Sequence, residues 1–63
     1  MNKINDLIIE IKNLTDEFMT EATNNAKGNK AAGRRARKAT LALTKMFKDY
    51  RALSLEAEKA PQE

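Results

Sequence analysis

The sequence predicts an all-α protein: an antiparallel two-helix hairpin with coiled-coil-like packing, expected to dimerise into a four-helix bundle. Three observations predict it. Apolar residues recur at spacings of three and four in two separate stretches, the mark of a helix face rather than a strand. One short Gly-Asn break divides those stretches. The two apolar stripes also match each other when the chain is folded back at that break.

The first helix is expected over about residues 2–26. Its stripe is Ile4, Leu7, Ile8, Ile11, Leu14, Phe18 and Ala22. The turn is expected over about 27–29. Gly28 suits the left-handed position after a helix C-terminus, and Asn29 suits the N-cap of the next helix. The second helix is expected over about 30–59, with a stripe of Ala32, Ala36, Ala39, Leu43, Met46, Phe47, Tyr50, Leu53 and Ala57. Pro61 and its neighbours, residues 60–63, read as a frayed tail. Two glycines and one proline leave little other material for turns.

Facing residues of an antiparallel hairpin have numbers with a constant sum. A turn centred between Gly28 and Asn29 makes that sum 57, which pairs Ile4 with Leu53, Leu7 with Tyr50, Ile11 with Met46, Leu14 with Leu43 and Phe18 with Ala39. Every member is apolar, and Tyr50 can keep its hydroxyl at an edge. The resulting core is Ile4, Leu7, Ile11, Leu14, Phe18, Leu43, Met46, Tyr50 and Leu53. It is graded, small at the turn (Ala32, Gly33, Ala36, Ala39) and bulky toward the termini.

A chain of 63 residues buries too little apolar surface to be comfortable alone. Such folds usually add disulfides, a metal or a partner. There is no cysteine and no histidine, which excludes disulfides and thiolate sites and removes the commonest metal ligand and general base. Self-association remains, and a homodimer is expected. Ile8, Ile9 and Phe47, which flank or lie off the core stripe, are its expected interface. No cofactor, small-molecule substrate or catalysis is expected. No apolar run approaches the ~20 residues of a membrane span, and the N-terminus lacks the features of a signal peptide. A cytoplasmic protein without a membrane partner is therefore expected.

The formal net charge is +3, but it is unevenly spread. Residues 1–26 carry two cations against five anions, residues 27–51 nine against one, and residues 52–63 one against three. No acidic residue stands between Glu21 and Asp49. With Ala36, Leu43 and Tyr50 at heptad position a, Lys30, Arg37 and Arg51 fall at b, Lys38 and Lys45 at c, and Arg34 and Lys48 at f. All of these point away from the core. Arg35 falls at g, on the flank, and Lys27 lies at the turn. The helix N-terminus adds partial positive charge there, and Gly33 leaves backbone accessible. These nine cations form a surface for a polyanion. A solvated face is the plainer alternative, with Lys45, Lys48 and Arg51 offering salt bridges to Asp6 and Glu10. No aromatic lies among the tip cations, so base stacking is not expected to contribute.

The stretch Gly28-Asn29-Lys30-Ala31-Ala32-Gly33-Arg34-Arg35-Ala36-Arg37-Lys38, with Leu43, Lys45, Lys48, Tyr50, Arg51, Ser54, Ala57, Glu58 and Lys59, resembles the bacterial linker-histone-like family. These are small basic nucleoid proteins of chlamydial type. The resemblance covers residues 27–59 and extends loosely over the first helix. It implies a nucleoid protein that binds and compacts DNA with little sequence preference. Lys30, Arg35, Arg37, Lys45, Lys48 and Arg51 stand at matching basic positions. The chlamydial members carry a long lysine- and alanine-rich tail credited with much of their DNA binding, whereas this chain ends acidic at Glu63. The expected function is DNA binding through the hairpin itself, bridging or compacting duplexes. The alternatives are a helical protein-interaction module and an RNA-binding protein.

Overall fold

The computed structural model describes residues 3–59, and the tail expected over 60–63 lies outside them. Two helices account for almost all of the described chain. Helix α1 runs Lys3–Ala26 and helix α2 runs Lys30–Lys59. They pack against each other as an antiparallel hairpin about 52 Å long and 16 Å by 13 Å across.

The turn explains the sharp reversal. The Asn29 amide donates to the Asn24 carbonyl at 3.1 Å, and the Gly28 amide donates to the Asn25 carbonyl at 2.9 Å. That crossed pair is the Schellman closure of a helix C-terminus. It needs a positive φ at its glycine, and Gly28 has φ +110°. Asn29 then begins α2: its Oδ1 accepts from the Ala32 amide at 3.0 Å, and its carbonyl accepts from the Gly33 amide at 3.2 Å. The same residue therefore closes one helix and caps the next. The Asn25 side chain fastens the two by donating its Nδ2 to the Asn29 carbonyl at 3.2 Å.

Close approach follows immediately above the turn. Gly33 is buried, and a Cβ placed on it would stand 2.9 Å from Cγ of Asn25. An alanine there would displace the Asn25 side chain. The buried residues are Ala32, Gly33, Ala36, Ala39 and Leu43, all on α2. Ile4, Leu7, Ile11, Leu14, Phe18, Met46 and Leu53 are half-buried, and Tyr50 remains 40% exposed. Among the described residues no large side chain is fully buried. Two helices cover each other along one seam only, so complete burial is reached where small residues bring the backbones together. Bulky residues farther along keep their outer flanks in solvent.

The register agrees with the expected one to within a residue. Glu21 meets Arg35 across the seam, and their numbers add to 56. No helix among the described residues is long and apolar enough to cross a membrane.

Candidate nucleic-acid interface

At 100° per residue, the buried stripe of α2 and its cations lie on opposite sides. Arg34, Arg37, Lys38, Lys45 and Lys48 fall within about 80° of the direction diametrically opposite Ala36, Ala39 and Leu43. Lys30 joins them in the first helical turn, Lys27 lies in the turn, and Arg51 lies at the ridge's margin. All of these residues are exposed. From Lys30 to Arg51 the ridge is about 32 Å long, close to one turn of B-DNA.

The salt bridges that a solvated face would offer, from Lys45, Lys48 and Arg51 to Asp6 and Glu10, do not form among the described residues. Ridge positions face outward, away from α1, beyond the reach of its carboxylates. Among the described residues the ion pairs are Lys12 to Asp16, at 2.9 Å within α1, and Arg35 Nε to Glu21 Oε2, at 3.0 Å between the helices. Arg35 thus differs from the other cations in already holding a carboxylate. Glu21 is itself poorly satisfied there. Its side chain is only 26% exposed, and its Oε1 is shut off from solvent without a hydrogen-bond partner. Thr40 and Thr44, beside the ridge, spend their hydroxyls on the carbonyls of Arg37 and Thr40, at 2.6 and 2.9 Å.

Two residues of this region take on their meaning only in three dimensions. Leu41 stands in the middle of the ridge, between Arg34, Arg37, Lys38, Lys45 and Lys48, and is 73% exposed. Its position seven residues after Arg34 and seven before Lys48 was the available signal. Glu21 was visible as the acid nearest the tip, but its partner emerged only from the register.

The Arg35–Glu21 pair also orients the hairpin. Open grooves flank the seam on that side. One is lined by Leu14, Glu17, Glu21, Arg35, Lys38 and Ala39, and the other includes Asp6, Leu7, Glu10, Asp49 and Leu53. This long face is charged. Ile8 and Phe47 lie about 60–80° to the other side of their stripes, so they share the opposite long face. Met19 follows Ile8 there, three helical turns along, and Tyr50 sits at its inner margin. Ile9 is turned 100° from Ile8 and lies on the outer edge of α1.

The arrangement can neutralise a run of phosphates along one edge while an apolar face and a charged face remain to either side. The protein-family model described as Histone H1-like protein Hc1 matches residues 5–60 of the chain. No curated protein matches it, and no solved structure does.

Proposed function

Since the chain belongs to the histone H1-like Hc1 family, we propose that it is a DNA-binding nucleoid protein that holds the duplex backbone along the basic edge of α2. The observation that carries this reading is the cationic ridge opposite the core, from Lys30 to Lys48 around Leu41, with no acidic residue between Glu21 and Asp49. Lys30, Arg34, Arg37, Lys38, Lys45 and Lys48 are the principal phosphate contacts, with Lys27 at the turn and Arg51 at the far end. Phosphate contacts fix position without reading sequence, so binding is sequence-tolerant. Two copies associate, and a dimer carrying two basic edges bridges duplexes, a direct route to compaction at the nucleoid.

Titration of random-sequence duplex at several salt concentrations tests the mechanism. Six phosphate contacts give a log–log slope of about −5. Changing Arg34, Arg35, Arg37 and Lys38 together to Glu abolishes binding while helical circular dichroism is retained. A slope near zero, or undiminished binding by the quadruple variant, would refute it. RNA titrated beside DNA decides whether the ridge distinguishes the two backbones.

A further inference from the structure

We infer that two copies of this chain pack through the face carrying Ile8, Phe47 and Tyr50, with Met19 at its margin, and that they do so antiparallel, with their basic tips at opposite ends. This rests on the self-association proposed above and adds its surface and its direction.

The occupant of the face follows from what the hairpin lacks. Its accessible surface is 5173 Å². A compact monomer of this mass exposes about 4,100 Å², so roughly 1,100 Å² stands in excess. Ile8 is 48% exposed, Met19 57%, Phe47 46% and Tyr50 40%. With the tips about 60 Å apart, two faces 52 Å long and 16 Å wide overlap over about 44 Å, or about 700 Å² each, within the range each partner gives to a stable interface. A second copy presents an identical strip of matching length. The other exposed large apolar residues, Ile9, Leu41 and Leu55, lie on the outer edges and are not part of it.

The direction follows from charge. Lys27, Lys30, Arg34, Arg35, Arg37 and Lys38 crowd the tip, with Glu21 the nearest acid. A parallel pair would set two such tips side by side, within or near a Debye length of each other. An antiparallel pair separates them. It also uses the overhang of α2, which extends about five residues beyond the residue facing Lys3 and carries Glu56 and Glu58. Ile8, Phe47 and Tyr50 lie about 28–32 Å from the turn along the axis, at 1.5 Å per residue. Stacking these clusters on each other brings each overhang to the level of the partner's Lys38 and leaves the two tips about 60 Å apart.

The chain has no cysteine, so Lys27→Cys places one nitroxide label at each tip. Pulsed dipolar spectroscopy without DNA is expected to give a distance near 60 Å. Ile8→Ser and Ile9→Ser are then compared on that background, both at exposed positions. The first is expected to weaken the dipolar signal and the second to leave it intact. A distance under about 25 Å would show parallel packing. Absence of a dipolar signal would show a monomer. Equal effects of the two serine variants would place the interface elsewhere. Each of these overturns the inference. Because DNA is absent from this experiment, the salt titration stands or falls separately.

Discussion

Arg35 is a cation with two claimants. In the free protein its guanidinium meets Glu21 at 3.0 Å, yet it stands between Arg34 and Ala36 at the edge of the ridge proposed to hold phosphates. Ion pairs this exposed are worth about 0.2–1 kcal/mol, so under the proposed function Glu21 would compete with DNA for Arg35. The incomplete satisfaction of Glu21 makes its removal cheap for the fold. Glu21→Gln is expected to raise DNA affinity about two- to fivefold and to steepen the salt slope by about one, because one more cation becomes available. Glu17→Gln removes the same charge from the same face without breaking an ion pair, and is expected to leave the slope unchanged. Identical slopes from the two variants, in a fluorescence titration, would show that Arg35 is not held back.

The turn shows how much one glycine decides at the scale of elements. Gly28 has φ +110° with open space around it, so a side chain there meets no neighbour and only the backbone resists. Gly28→Ala is expected to cost about 1–2 kcal/mol in chemical denaturation. A loss below ~0.3 kcal/mol would mean that the turn relaxes without its left-handed residue. The turn was legible because its two signals are local, a glycine for the C-terminal closure and an asparagine for the cap. The helices were legible because their period is local too, and the constant-sum register came within one residue of the observed Arg35–Glu21 pairing. What resisted was the flanks. Ile8 and Ile9 are adjacent in sequence and read alike, yet they project 100° apart. Which of them shares a face with Phe47 emerges once the two right-handed helices are set antiparallel with their stripes facing. The burial of Gly33 against Asn25 belongs to the same class, since spacing gives no measure of how closely two backbones approach.

For the whole molecule, four sides have four characters. One edge is basic, one long face apolar and the opposite face charged. The outer edge of α1 is nearly neutral, with Lys12 paired to Asp16. The basic edge was readable from heptad positions, because cations opposite a stripe must face outward. The exposure of Leu41 was readable in the same way, since its spacing sets it off the core stripe; the neutralisation of Arg35 was not, because it depends on a neighbour fixed only in three dimensions. The placement of the five buried residues, all between Ala32 and Leu43, has a consequence for the order in which the hairpin forms. Contacts beside the turn close the shortest loops and so cost the least entropy, and here they are also the best buried. Closure then runs from the tip toward the termini. Amide exchange is expected to be slowest around Ala36 and Ala39 and fastest in the last turns near Lys59, and uniform protection along α2 would contradict this order. The last twenty residues of the chain contribute none of these buried positions, so the tip does not wait on them. The tip, the end with the densest cluster of cations, would then close before the far ends of the two helices.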